Sequence, residues 1–141
     1  MSKTILLPVD INHPKAEHKS LKEALPLLGD GGVLHVVSVA PSFGMAQVSG
    51  FFPDQFEKEH LAEFGKQLSA WVKEHVPDGV TVKPHVLHGT IYDEILRAAD
   101  ELNVDLIVMG AHRPELSDYL LGPNAARVVR HANQSVYVVR S

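Results

Sequence analysis

Short apolar runs alternate with longer amphipathic stretches along the whole sequence. Most of the runs show little polar alternation, which is typical of strands buried on both faces in a parallel sheet. The runs lie at residues 5–9, 33–39, 80–87, 106–109 and 136–139. The stretches with helical spacing lie at residues 15–28, 56–76, 90–102 and 124–131. This order predicts an α/β fold, a five-stranded parallel open sheet with helices on both faces. The run at 80–87 alternates more than the others and contains Pro84, which favours an edge strand.

Composition excludes several classes of protein. The chain has 141 residues, the size of one ordinary domain, and we expect a single domain over residues 1–141. It carries 13 Lys and Arg against 17 Asp and Glu, so we expect no nucleic-acid partner. With no cysteine, a disulfide scaffold and a thiol nucleophile are excluded. Only a short apolar run precedes Asp10 and no later run reaches membrane-spanning length, so we expect a cytoplasmic protein with no membrane partner.

The ends of the predicted strands indicate where a ligand would bind. In doubly wound sheets, ligands lie beyond the carboxyl ends of the strands, where the strand order reverses. Asp10 follows the first strand, and its carboxylate can accept hydrogen bonds from a ribose hydroxyl or an adenine amino group. It can equally cap the turn that follows. The sequence leaves both interpretations open.

Two glycines flank the loop after the most apolar strand. Gly110 ends that strand, and Gly122 stands just before a helix that begins near Asn124. Glycine lets the backbone approach a phosphate closely, a helix start attracts anions, and Arg113 between them suits a phosphate. Neither standard phosphate-binding loop is present. Ordinary turn chemistry also explains two glycines, so this signal is weak by itself.

The motifs in combination resemble the universal stress protein family. The resemblance rests on Met109-Gly110-Ala111-His112, Leu120-Leu121-Gly122, Asn124-Ala125 and Val128-Val129-Arg130-His131-Ala132. The start, Ile5-Leu6-Leu7-Pro8-Val9-Asp10, resembles the family's first strand. The resemblance covers essentially the whole chain and implies a flavodoxin-like, doubly wound, adenine-nucleotide-binding fold.

The glycine loop departs from the family pattern. In ATP-binding members the loop reads Gly-x-x-Gly and, further on, Gly followed by Ser or Thr. Here Arg113 replaces the middle glycine, the loop is shorter, and Pro123 stands where the hydroxyl belongs. Pro123 offers a phosphate neither a hydroxyl nor an amide N–H, although its fixed φ suits the first turn of a helix. The shortened loop resembles a subgroup of small stress proteins that binds ATP.

The resemblance implies a set of binding residues for ATP, or for AMP or ADP, with Mg²⁺ accompanying the phosphates. The set comprises Pro8, Val9, Asp10, Val36, Met109, Gly110, His112, Arg113, Gly122, Pro123, Asn124 and Ala125. Pro8 and Asp10 would hold the adenosine, and Val36 would contact the adenine through its backbone. The phosphates would lie against Gly110, Arg113, Gly122 and Asn124.

The predicted function is that of an ATP- or adenine-nucleotide-binding regulatory protein in a stress response, with at most slow ATP hydrolysis. The alternative is a nucleotide-free dimeric interaction module of the same fold, acting through an unknown protein partner. In that case the irregular segment at 41–53 would carry function through partner contacts. Its aromatic and Met side chains either dock a partner or fold over the ligand cleft or the sheet edge: Phe43, Met45, Phe51 and Phe52. A Ser-His-Asp hydrolase is a remote third reading, since no serine lies in Gly-x-Ser-x-Gly.

The last strand predicts a homodimer. The resemblance makes it a sheet edge, and its residues, Val136, Tyr137, Val138 and Val139, include no Pro or Lys to block pairing.

Nine histidines are scattered along the chain, and their spacing predicts no zinc site. His35 lies in an apolar strand, where we expect a hydrogen-bonded histidine of the core or of the ligand edge.

Overall fold

A computed structural model describes residues 2–12, 14–40, 53–111 and 122–140. Its strands are β1 (Thr4–Pro8), β2 (Val33–Ala40), β3 (Thr81–His88), β4 (Leu106–Gly110) and β5 (Ser135–Val139). Its helices are α1 (Pro14–Ala24), a 3-10 turn (Leu25–Leu27), α2 (Pro53–His75), α3 (Ile91–Glu101) and α4 (Pro123–His131). No helix in these ranges is long and apolar enough to cross a membrane.

The five strands form one parallel sheet in the order β3-β2-β1-β4-β5. The chain builds outward from β1 to β3, then returns to add β4 on the other side of β1. The strand order therefore reverses between β1 and β4, which is where a doubly wound sheet binds ligands. The predicted five-stranded parallel sheet is confirmed, and β3 lies at an edge, as Pro84 predicted.

Both faces of the three inner strands, β2, β1 and β4, are buried, which explains their unalternating apolar runs. On one face, Ile5 and Leu7 of β1 join a core covered by α1 and α2. On the other face, Leu6 joins Val37 and Ile107 in a second core covered by α3 and α4. Because successive side chains of a strand point to opposite faces, a strand in this position is apolar at most of its residues.

The structure corrects the helix predictions at two places. The helix expected over 15–28 ends at Ala24, and Pro26 lies in the 3-10 turn, since proline has no N–H for the α-helical ladder. The helical spacing at residues 90–102 also predicts that Ile91 lies on the buried face of that helix, whereas the structure shows it 37% exposed. It is the first residue of α3, and the buried residues of that helix, Ile95, Ala98 and Ala99, all lie beyond its first turn.

Candidate functional site

A cleft of about 310 Å³ opens at the carboxyl edge of the sheet, where the strand order reverses. Elements from both halves of the chain line it: the ends of β1, β2 and β4 and the first turns of α1, α3 and α4. Its volume falls at the small end of the range for small-molecule sites, about 300–1,000 Å³.

One wall of the cleft is apolar. Val37 and Val39 reach it from β2, Met109 from β4, and Ile91 and Ile95 from α3. An apolar wall of this kind suits the flat face of an aromatic ring, because contact with the ring removes apolar surface from water. The exposure of Ile91 therefore has a physical role, since the side chain borders the cavity rather than the core.

Asp10 stands at the end of β1, on a backbone that is firmly held. Val9 donates its N–H to the carbonyl of Val37 at 2.8 Å, and the buried hydroxyl of Ser38 donates to the carbonyl of Val9 at 2.8 Å. The carboxylate of Asp10 accepts the N–H of Asn12 at 2.9 Å, which is the turn-capping role that the sequence left open. The same side chain borders the cleft. The two interpretations of Asp10 are therefore compatible.

The first turn of α4 also lines the cleft. Gly122 occupies the N-cap position with extended backbone, and no side-chain hydrogen bond from the part of the chain that the structure describes caps the helix. The first amides of a helix have no partner within it, and a helix N-terminus favours anions. Pro123 has no N–H, and the N–H of Ala126 donates to the carbonyl of Gly122 at 2.9 Å. Asn124 and Ala125 therefore carry the amides that this turn can offer to a ligand.

Most of the predicted binding residues come together here. Those that line the cleft are Pro8, Val9, Asp10, Met109, Gly110, Gly122, Pro123, Asn124 and Ala125. His112 and Arg113 lie outside the described residues, as do Phe43, Met45, Phe51 and Phe52.

Val36 is the one described residue of the predicted set that the structure places elsewhere. Its side chain is fully buried in the core beneath α1 and α2, and it does not line the described cleft. The carbonyl of Ala40 accepts the N–H of Gly89, so alternate residues of β2, Val36 among them, direct their backbone groups toward β3. An adenine contact through the Val36 backbone stays a prediction, and the residues of β2 that line the described cleft are Val37 and Val39.

The sequence reasoning also missed polar residues of the cleft. Asn12 follows β1, and Glu17 lies in the first turn of α1. The helix start itself was a usable signal, because a crossover helix after β1 must begin at the same sheet edge where β1 ends. Among the described lining residues there is no Lys, Arg or His, so Asp10 and Glu17 give this part of the wall its charge.

A histidine pair lies away from the cleft, on β2 and β3. His35 Nδ1 and His85 Nε2 are 2.9 Å apart, and His35 is only 7% exposed. Burial is the main cause that lowers the pKa of both imidazoles, and the charge of Lys83 lowers both further. The expectation of a hydrogen-bonded core histidine at His35 is confirmed. No three His or acidic residues in the described ranges lie close enough to bind a metal together.

Comparison with known proteins gives a consistent result. The sequence matches the profile of the Universal stress protein family over residues 1–140. It is 37% identical over 142 aligned residues to Universal stress protein G of Escherichia coli O157:H7, covering 99% of this chain and 100% of that protein.

Solved structures agree with the sequence comparison. The structure of protein MJ0577 superposes with a TM-score of 0.80 at 25% identity, covering 100% of this chain and 97% of that one; the protein of that name is from Methanocaldococcus jannaschii. A universal stress protein from Archaeoglobus fulgidus, solved in complex with dAMP, superposes with a TM-score of 0.60 at 25% identity over 98% of each chain.

Proposed function

The chain belongs to the universal stress protein family, and from this premise we propose that it is a regulatory protein of a stress response that binds an adenine nucleotide in the cleft between β1 and β4. One observation carries the proposal: a single cavity combines an apolar wall, the carboxylate of Asp10 and an uncapped helix start. The apolar wall suits an adenine ring, the carboxylate suits a ribose, and the helix start suits a phosphate. The Archaeoglobus fulgidus relative solved with dAMP supports the choice of ligand.

Each part of the nucleotide has a complementary surface. The adenine would lie against Val37, Val39 and Met109, where contact with apolar side chains removes its faces from water. The ribose hydroxyls would donate to Asp10. A phosphate would accept the amides at the start of α4, where the helix dipole favours negative charge.

ATP is the nucleotide that the sequence predicts, with AMP and ADP as alternatives and Mg²⁺ accompanying the phosphates. Proteins usually hold Mg²⁺ through one or two carboxylates together with substrate phosphates, so the phosphates would supply part of its coordination. Slow ATP hydrolysis and a cytoplasmic location stay predictions from the sequence.

Asp10 provides the sharpest test of the nucleotide site. Replacing Asp10→Ala removes an acceptor for the ribose, and we expect nucleotide binding to weaken by about 1.5–3 kcal/mol, the worth of a hydrogen bond to a charged group. Isothermal titration calorimetry with ATP and AMP measures the loss. Asp10→Asn separates the two roles, because it keeps a side-chain oxygen for the N–H of Asn12 and removes the charge.

The control variant is Asp30→Ala, which removes an exposed carboxylate just before β2, at the amino ends of the strands and away from the cleft. Unchanged affinity in Asp10→Ala would remove Asp10 from the site. Native mass spectrometry of the purified protein tests the function as a whole. A protein that carries no nucleotide and binds none in calorimetry would favour the alternative, a nucleotide-free interaction module acting through a protein partner.

We further propose a homodimer that pairs β5 with β5 across a two-fold axis. The carbonyl of Val139 accepts the N–H of Ala111 at 3.0 Å, so Val139 directs its backbone groups toward β4. Alternate residues of a strand face opposite sides, so Val136 and Val138 direct their N–H and C=O groups outward. Antiparallel pairing with a second copy would satisfy these groups, and a two-fold axis would use the same edge of each chain.

A further inference from the structure

We propose that Ser38 is a positioning residue for ribose recognition: its hydroxyl holds the backbone just before Asp10 and so places the Asp10 carboxylate where ribose hydroxyls can reach it. The proposal rests on the proposed function, since it concerns the same cleft. It adds a residue that lies behind the cleft wall, and it narrows the preferred ligand to nucleotides whose sugar keeps its ring hydroxyls.

The way in which β1 leaves the sheet is the first observation. In the described register, β1 pairs with β4 at Ile5 and Leu6 and no further, whereas β4 continues to Gly110. On its other side, β1 stays paired with β2 as far as Pro8, which lies opposite Val37. The parting of β1 and β4 opens the sheet where the cleft lies, and it leaves β2 as the neighbouring strand that holds the end of β1.

Two hydrogen bonds extend this hold one residue beyond β1. Val9 donates its N–H to the carbonyl of Val37, and Ser38 donates its hydroxyl to the carbonyl of Val9, each at 2.8 Å. The second bond comes from a side chain, so it depends on which residue stands at this position. Ser38 is 2% exposed and is not among the described residues that line the cleft. It therefore acts on a ligand through the backbone of β1 rather than by contact.

Asp10 lies between two anchored residues. Val9 and Ile11 are both buried in the core beneath α1 and α2, while Asp10 is exposed and borders the cleft. Its carboxylate also accepts the N–H of Asn12 at 2.9 Å, so the backbone on both sides of Asp10 sets where the carboxylate lies. Without the Ser38 hydroxyl, the buried carbonyl of Val9 loses a donor, and an unpaired buried carbonyl is costly enough to shift the backbone.

A series of ligands tests the proposal on the full chain. AMP, ATP and dideoxy-ATP, which lacks both ring hydroxyls of the sugar, are titrated by calorimetry into the unmodified protein and Ser38→Ala. We expect Ser38→Ala to weaken AMP and ATP by a similar factor, about threefold to tenfold, which is the worth of one neutral hydrogen bond. Dideoxy-ATP has no ring hydroxyl to donate to Asp10, so its affinity should change little. A variant that merely disturbed the fold would weaken all three ligands alike.

A double-mutant cycle with Asp10 tests the route. In Asp10→Ala the carboxylate is absent, so adding Ser38→Ala should cause no further loss of ATP affinity, whereas residues that act independently have additive effects. Ser38→Thr keeps a hydroxyl and the β-strand character of the position, and it should recover the affinity that Ser38→Ala loses.

Ser20→Ala is the matched control, since it removes the hydroxyl of another buried serine, on α1, that is not among the described lining residues. This control should leave ATP affinity unchanged, whatever it does to the free energy of unfolding in urea. The NMR amide resonance of Asn12 follows its hydrogen bond to Asp10 without any ligand. Ser38→Ala should shift this resonance, and Ser20→Ala should not.

The outcomes separate this proposal from the proposed function. If ATP binds Ser38→Ala as tightly as the unmodified protein, or if the Asn12 resonance stays in place, the positioning role is wrong and nucleotide binding stands. If Ser38→Ala weakens dideoxy-ATP as much as ATP, or adds its full effect to Asp10→Ala, Ser38 does not act through ribose recognition by Asp10. If no nucleotide binds the unmodified protein, the proposed function fails, and this proposal fails with it.

Discussion

The two edge strands of the sheet, β3 and β5, differ in whether their residues oppose pairing with a further strand. β3 carries an exposed Lys83 and an exposed Pro84, two residues that oppose pairing at an edge. β5 carries neither, and Tyr137 at its centre is 40% exposed. The β3 edge therefore carries residues that oppose pairing, and the β5 edge carries none over its described residues, so we call them the closed edge and the open edge. This difference supports the proposed dimer rather than an extended chain of copies.

The proline on β3 is placed where it costs the fold little. Gly89 donates its N–H to Ala40, so alternate residues of β3, counting back from Gly89, face β2 and those between them face outward. Pro84 belongs to the outward set. The pairing with β2 continues through it, from Val33 opposite Thr81 to Ala40 opposite His88. The missing N–H is thus one that would otherwise be offered to another chain.

Placing a proline in β5, at the open edge, should weaken the dimer and should have the largest effect of the variants considered. Val138→Pro removes an outward N–H from β5 while leaving the bonds from Val139 to β4 in place. A two-fold interface feels the change twice, so two lost bonds of about 0.5–1.5 kcal/mol each should weaken the dimer by about 1–3 kcal/mol. Sedimentation equilibrium measures the shift, roughly fivefold to more than a hundredfold.

The control at the same position is Val138→Thr, which keeps the N–H and the β-branched shape and should leave the dimer intact. A stable monomer of the unmodified protein at micromolar concentration would contradict the dimer itself. A dimer that Val138→Pro leaves unchanged would place the interface elsewhere.

The sequence predicted the sheet well because strands that are buried on both faces appear in the sequence as apolar runs. A strand covered on both faces is apolar at most of its residues, so residues 5–9 and 106–109 could be assigned without knowing their neighbours. Pro84 marked an edge for a reason that is equally local. The ends of β1 and β4 then located the cleft, since reversal of strand order follows from the connections.

The remaining details depend on distant parts of the chain. Val36 and Val37 are equally apolar, and only the register of β2 decides which one faces the cleft, because a shift of one residue exchanges the two faces. His35 and His85 are fifty positions apart in sequence. They meet because Val37 stands opposite His85, and His35 lies two residues before Val37 on the same face of the sheet. The two imidazoles are therefore diagonal neighbours on adjacent strands.

Acid should weaken the fold near the closed edge. Burial, followed for His35 by the charges of His85 and Lys83, holds the pKa of His35 below its usual 6.5, and burial followed by Lys83 does the same at His85. Since the unfolded chain takes up protons at a higher pH, stability is full above about pH 6.5 and falls as the pH drops through the folded pKa values. Urea unfolding between pH 7.5 and 5 measures the loss.

Replacing His85 separates the pair's contribution to the pH dependence of stability from that of the other histidines. His85→Gln keeps a polar partner for His35 and removes one titrating group, so its stability should depend less on pH. His131→Gln, at an exposed site on α4, is the control and should retain the full dependence. Identical pH profiles for the unmodified protein and His85→Gln would show that the pair does not contribute.

The smallest effect is expected at the open edge, where Tyr137 is tied to a helix of its own chain. Its hydroxyl donates to the Glu23 carboxylate on α1 at 3.1 Å, and this hydrogen bond is the main cause that raises the pKa of Tyr137. A raised pKa in the folded state means that the bond contributes below about pH 10, the usual value for a tyrosine, and is lost as the pH rises through the folded pKa. Because the bond is exposed, Tyr137→Phe should lower the urea midpoint only slightly at pH 7.

The ring, which packs from the side of α1, takes no part in outward backbone pairing, so the same variant should leave the dimer constant unchanged. A dimer weakened by Tyr137→Phe as much as by Val138→Pro would show that side chains, rather than the open backbone edge, hold the two copies together.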